Sequence, residues 1–309
     1  MDILIEPMNF LISGTQIPPL YLMGVGFIVG ILGGFFGVGG SFLAGPALFA
    51  MGMQMNFVVG TDLAHIVGKS IVAAGRHRTL GNVDYKLGLL MAIGTIPGAE
   101  IGAQLIQLLK RLNNVDIVIG IGFILVLLSI SAFVGWESRQ TLKKLKQSAR
   151  PTKKDVSVLK HVSKRVHGYY LPPMISLPVS GVEQVSIWAI LAVAFVGGLF
   201  SGFLGGGAGY IRMPTMVFLL GVPTHVAVGT DLFEIIISAG YGTLSHAFKG
   251  NVDIMVALVM RTGAAVGAQI GASLTEFFHG PRIRLAFVPL PLLGAALVVY
   301  SLLTGHHLK

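Results

Sequence analysis

The chain has 309 residues, 53% of them hydrophobic and only 11% charged, with 42 glycines, no cysteine and a formal net charge of +9. Soluble domains carry about 25% charged residues, so this composition excludes a soluble globular protein, and the lack of cysteine excludes disulfide and thiolate chemistry. The positive charge needs no nucleic acid to explain it, because cytoplasmic loops of membrane proteins collect Lys and Arg.

In chain order, the first 19 residues carry no Lys or Arg, which speaks against a cleavable signal peptide. Apolar segments follow at 20–52, 56–75, 87–109, 115–135, 186–220, 226–247, 254–278 and 284–304. A membrane crossing needs about 20 such residues. The pattern predicts an all-α polytopic membrane protein, with a first repeat at 20–135 and a second at 185–305. The connector 136–184 holds ten of the 22 Lys and Arg residues and is expected in the cytoplasm. The run 20–52 exceeds one crossing and glycine interrupts it, so it reads as a hairpin that enters the membrane and returns. Each half then has three spanning helices besides that hairpin, an odd number, and the two halves are inverted. A single crossing there would make the halves parallel, and the distribution of Lys and Arg does not choose between the two schemes.

The halves repeat in sequence. "VVGTD" at Val58–Asp62 returns as "AVGTD" at Ala227–Asp231, and "GNVD" at Gly81–Asp84 returns at Gly250–Asp253, both shifted by 169 positions. "GAEIGAQ" from Gly98 matches "GAQIGAS" from Gly267 at the same shift, and "GFFGVGGSFLAGP" from Gly34 matches "GFLGGGAGYIRMP" from Gly202 at 168. Four blocks in one order make each half one structural unit.

Irregular backbone at membrane depth survives only against protein or a wet cavity. Gly37, Gly39 and Gly40, with Gly205, Gly207 and Gly209, are therefore expected to break helices around a central site, with Ser41 at the restart. A helix that starts after such a break aims its N–H groups and positive dipole end at an anion. Pro46 and Pro214 beyond the strings favour the interruption. Thr61 and Thr230 read either as helix N-caps or as hydroxyl ligands for substrate oxygens.

Ionisable residues inside spans are costly and default to function. Asp62, His65 and Lys69 stand at i, i+3 and i+7, on one helix face, and Asp231 and Glu234 repeat the first two places. Lys69 and Arg212 suit an anionic guest, and Asp62, His65 and Glu234 suit proton exchange or charge relay, with Asp231 in the same group. Glu100, His246 and Arg261 are further charged positions within spans, while Asn82, Gln104 and Asn251 read as hydrogen bonders either to neighbouring helices or to a ligand.

The glycine strings "GFFGVGGSFLAGP" and "GFLGGGAGYIRMP", each followed by "GTD" and then "GNVD", resemble the sulfite exporter TauE/SafE family, also called the 4-toluene sulfonate uptake permease family. The resemblance covers both halves and omits the basic connector. It implies a secondary carrier of small sulfur-containing anions such as sulfite, sulfonates or sulfoacetate, without cofactor or metal. Expected partners are the anion, the lipid bilayer and, at most, a second copy in a homodimer, with no nucleic acid. A channel is the rival reading, since "SAGYG" at Ser238–Gly242 faintly matches a potassium filter, but that filter needs a symmetric ring of carbonyls. No HExxH, GxSxG or paired-aspartate motif suggests an enzyme.

Overall fold

The structure, a computed structural model, describes residues 6–37, 40–112, 115–147, 171–278 and 280–304. In the first half, α1 (Pro19–Phe36), α2 (Ser41–Ala50), α3 (Met55–Thr79), α4 (Tyr85–Arg111) and α5 (Val115–Gln147) follow one another. The second half has α6 (Ile187–Leu204), a 3-10 turn at Gly206–Ala208, α7 (Gly209–Phe218), α8 (Thr224–Phe248), α9 (Ile254–Leu274), a second 3-10 turn at Thr275–Phe277, α10 (Gly280–Phe287) and α11 (Pro289–Thr304). Among the described residues, seven helical stretches are long and apolar enough to cross a membrane, as an all-α polytopic protein requires.

Both glycine strings interrupt helix. Gly37 ends α1 in the left-handed region at φ +72°, and Gly40 precedes α2 at φ +76°. Gly205, Gly206 and Gly207 do the same between α6 and α7, at φ +80°, +75° and +68°. An L side chain disfavours that conformation, which is why glycine stands there. The last apolar segment, 284–304, is one of the seven stretches, with a one-residue turn at Val288 between α10 and α11.

The "GNVD" blocks are corners. Gly81 and Gly250 take φ of +71° and +68° just past α3 and α8. Asn82 N–H donates to the His77 carbonyl at 3.0 Å, and Asn251 N–H to that of His246 at 2.9 Å, a glycine-based helix stop. Asp84 and Asp253 then cap α4 and α9, accepting from Leu87 N–H at 3.1 Å and Val256 N–H at 3.3 Å.

Elements of opposite halves pack together. Along α1, an added Cβ at Gly26, Gly30 or Gly34 would overlap the backbone of Met260, Ala264 or Ala268 of α9, and Gly263, Gly267 and Gly271 answer against Met23, Phe27 and Ile31. Residue numbers rise together, so the two helices run parallel in backbone contact. The exchange recurs between α4 and α6, with Gly94, Gly98 and Gly102 against Leu191, Phe195 and Leu199, and with Gly198 and Gly202 against Thr95 and Ala99. Small residues are what allow such approach in lipid, where dispersion and backbone contact replace hydrophobic drive.

Two β-hairpins went unforeseen. β1 (Met8–Phe10) pairs antiparallel with β2 (Thr15–Ile17), and β3 (Met174–Leu177) with β4 (Val182–Ser186). Each sits on the corner of the opposite half. Ser13 donates to Asp253 Oδ2 through its hydroxyl at 2.7 Å and its N–H at 3.0 Å, and Ser180 Oγ donates to Asp84 Oδ2 at 2.6 Å. The connector assigned to 136–184 therefore begins as a continuation of α5 and ends in a hairpin, while its middle, 148–170, lies outside the described residues.

Candidate functional site

The central pair is α3 and α8. Gly60 near the start of α3 meets Asn251 and His246 at the end of α8, and Gly229 meets Asn82 and His77 at the end of α3, so the two run antiparallel. Each has 25 residues and spans about 37 Å at about 1.5 Å per residue. Their middle residues are 67, halfway between 55 and 79, and 236, halfway between 224 and 248. His65 and Glu234 lie two residues from those midpoints.

The glycine breaks bracket this pair. Gly37 packs on Val228 of α8 and Gly205 on Val59 of α3, and Gly207 faces Ile235. Val59 and Val228 are themselves 169 apart, so each half lends its break to the other half's central helix. Gly209 opens α7 and Ser41 opens α2, whereas Gly39 lies outside the described residues.

Between the breaks lies a charged cluster with relative exposures of 0–1%: Asp62, His65, Lys69, Arg212, Asp231 and Glu234. In the second half, Arg212 Nε donates to Asp231 Oδ1 at 2.9 Å and Nη1 reaches Glu234 Oε2 at 2.5 Å. Ser238 Oγ donates to the same Glu234 oxygen at 3.1 Å and lies 3.4 Å from Arg212 Nη1. In the first half, His65 Nδ1 stands 3.2 Å from Asp62 Oδ1, with the imidazole as donor.

Lys69 is different. It is 1% exposed and its Nζ has no hydrogen-bond partner. A side chain placed on Gly40 would meet that Nζ at 3.2 Å, so the ammonium lies beside the turn from which α2 starts. No side chain caps that start. Tyr210 of α7, two residues before Arg212, is also fully buried and its hydroxyl has no hydrogen-bond partner.

Thr61 and Thr230 are not N-caps, because α3 and α8 start at Met55 and Thr224 and place both threonines in the second turn. Their hydroxyl oxygens accept from Asp253 N–H and Asp84 N–H, each at 2.9 Å. The two motifs that repeat at 169 thus touch crosswise, "GTD" of one half on "GNVD" of the other. Glu100 belongs to a half-buried surface network with Tyr241, Ser245 and Lys249. Arg261 is exposed and crosses Gly68. His246 donates to the Gly202 carbonyl, and His77 to that of Gly34, both at 3.0 Å. Asn251 bonds Asn56 and Lys110, each at 3.1 Å, a helix-to-helix role as read from the sequence.

A paired set of glycine breaks enclosing buried charge calls for comparison with known proteins. The family model described as sulfite exporter TauE/SafE matches residues 22–298. The chain belongs to the sulfite exporter TauE/SafE family. Among similar proteins, "Probable membrane transporter protein YunE" of Bacillus subtilis (strain 168) is 29% identical over 286 residues, covering 90% of this chain and 96% of its own length. "Probable membrane transporter protein YjnA" of the same organism is 25% identical over 280 residues, covering 90% and 95%. A "Probable membrane transporter protein" of Xylella fastidiosa (strain 9a5c) is 25% identical over 267 residues, with 84% of each chain covered. No solved structure matches. With its family and its seven apolar helices, the chain is a multi-pass membrane transporter.

In this TauE/SafE transporter the structure buries six charged or titratable residues named from sequence and bonds five of them in two sets, Asp62 with His65 and Arg212 with Asp231 and Glu234, while Lys69 lies on the Asp62–His65 helix. Tyr210 and Ser238 were missed. Ser238 stands where Lys69 stands in the repeat, 69 + 169 = 238, and that correspondence was the available signal. A tyrosine inside an apolar string offers none.

Proposed function

We propose that this transporter is a secondary carrier of small sulfur-containing anions, of the sulfite, sulfonate or sulfoacetate type, working by alternating access in the cell inner membrane with protons as the coupling ion. The observation that carries the reading is Lys69, a buried amine whose Nζ has no hydrogen-bond partner. An unpaired charge in a protein interior costs several kcal/mol, and an anion seated beside Gly40 would offset that cost. The uncapped start of α2 adds its dipole there. The family's description as sulfite exporters supports the choice of cargo.

The charge balance supports proton coupling. Three carboxylates (Asp62, Asp231 and Glu234) face two cations (Lys69 and Arg212), a formal sum of 2 − 3 = −1. A monoanion would deepen that imbalance in a low-dielectric setting. A proton on His65 or on a carboxylate restores it.

The ends of the helices support a reading as inverted repeats. Ser13, ahead of α1, and Asn56, at the start of α3, both bond the corner Asn251–Asp253. In this reading α1 and α2 enter and return on one face, α6 and α7 do so from the other, and the central connector is cytoplasmic. The near-zero exposure of the cluster corresponds to an occluded state, opened alternately as one repeat rocks against the other.

Labelled sulfite uptake into proteoliposomes tests this. An inward proton gradient is expected to accelerate uptake, and Lys69→Met to reduce it at least tenfold, with Lys69→Arg retaining part of it. Uptake indifferent to the gradient removes proton coupling, and full uptake by Lys69→Met removes the site.

A further inference from the structure

On the outer face of α9, away from the charged cluster, lies a groove of about 460 Å³ lined by Val266, Gln269, Ile270, Ser273, Leu274 and Phe277. Its four apolar residues are all exposed, and they belong to a stretch long and apolar enough to cross the membrane. From Val266 to Phe277 the groove runs about 17 Å at helical rise. That is close to the hydrocarbon depth of one leaflet, about 15 Å.

One end of the groove is polar and basic. Arg76 Nε donates to Ser273 Oγ at 3.1 Å, and Arg76 Nη2 donates to Glu276 Oε1 at 2.6 Å. Arg76 and Arg78 both stand in the last turn of α3, so two cations face one carboxylate there. A guanidinium has further N–H groups, in a geometry that suits phosphate. Gln269 lies four residues from Ser273, about 6 Å deeper, and is exposed. Hydrocarbon offers an amide no hydrogen bond, whereas the ester carbonyls just beneath a phospholipid headgroup do. The equivalent surface on α4 is different. At the shift of 169 positions Arg76 becomes Ser245 and Gln269 becomes Glu100, and Glu100 is already bonded to Ser245 and Lys249.

We infer that this groove binds an anionic phospholipid, with one acyl chain along α9, the phosphate on Arg76 and the ester carbonyls at Gln269, and that the α4 surface has no such preference. The site is independent of the transported anion and of proton coupling. Its place in the cytoplasmic leaflet follows the orientation proposed above.

Ile270 and Ile101 are repeat equivalents, 42% and 43% exposed, and make a matched pair of reporters. Ile270→Trp and Ile101→Trp are each placed in the full chain carrying Trp136→Phe and Trp188→Phe, which removes both native tryptophans. In phosphatidylcholine nanodiscs, chain-brominated phosphatidylglycerol is expected to quench Ile270→Trp at about three- to fivefold lower mole fraction than chain-brominated phosphatidylcholine. Ile101→Trp is expected to show no preference, and adding Arg76→Gln to Ile270→Trp is expected to abolish it. Equal quenching by the two lipids at Ile270→Trp, or the same preference at Ile101→Trp, overturns the inference. Quenching by neither lipid shows the groove closed by a second copy and overturns it as well. Should the tryptophan variants misfold, native mass spectrometry of the unmodified chain decides: stronger retention of phosphatidylglycerol is expected, and equal retention of the two lipids overturns the site.

Discussion

Lys69 and Arg212 reach equivalent places by different routes. Lys69 is carried on α3, and its repeat partner on α8 is Ser238, toward which Arg212 extends from α7 at 3.4 Å. Two carboxylates hold Arg212, and no side chain holds Lys69. Stability and transport should therefore separate. Replacing Arg212 with Met leaves Asp231 and Glu234 buried without their cation, a loss of about 3–5 kcal/mol, expected as a large fall in the thermal unfolding midpoint in detergent. Replacing Lys69 with Met removes a cation that no hydrogen bond holds and leaves only Asp62 without a neighbouring positive charge, so the midpoint should fall less than in Arg212→Met while transport is lost. The opposite ranking would show that Lys69 is the fixed cation. The i, i+3, i+7 spacing made the Asp62–His65–Lys69 face legible. Helical period says nothing about which cation a distant carboxylate will capture, so Arg212 as a paired residue was not.

Among the elements, the glycine seams set how closely the halves approach. Gly30 and Gly267 stand against the backbones of Ala264 and Phe27, whereas Gly24, also in α1, has nothing within 4 Å of a would-be Cβ. Gly30→Leu is expected to force α1 and α9 apart and cost about 1–3 kcal/mol or more. Gly24→Ala should leave stability unchanged or raise it by up to about 1 kcal/mol, because alanine favours helix over glycine. Thermal unfolding of the two variants side by side checks this, and equal effects would show that the seam is looser than its contacts imply. The helix breaks themselves were legible, since five glycines in the eight residues Gly33–Gly40 cannot sustain regular helix. The hairpins were not: strands of three to five residues are too short for an alternating pattern to stand out. Thr61 and Thr230 misled because a threonine before an aspartate has the composition of an N-cap, yet helix had already begun six residues earlier at Met55 and Thr224.

For the whole molecule, orientation in the membrane is the proposal most open to direct measurement. Thr79 and Phe248 are repeat equivalents, 79 + 169 = 248, and the chain has no native cysteine. Both positions are exposed, Phe248 at 90%. With inverted halves, Thr79→Cys should react with an impermeant thiol reagent from the cytoplasmic face and Phe248→Cys from the opposite face. Labelling of both from one side would establish parallel halves. The same crosswise arrangement links the corner of each half to the other half's "GTD" helix and to a hairpin.

By itself the sequence determined the solvent, the duplication, the two helix breaks and the faces on which charge is buried, because composition, repetition and period are local properties of a chain. Only the tertiary structure decided that α1 lies on α9 and α4 on α6, that the threonines hold corners, and that Arg212 is neutralised while Lys69 is left without a partner. Those outcomes depend on which residues far apart in sequence meet, and the packing of the two halves against each other sets that.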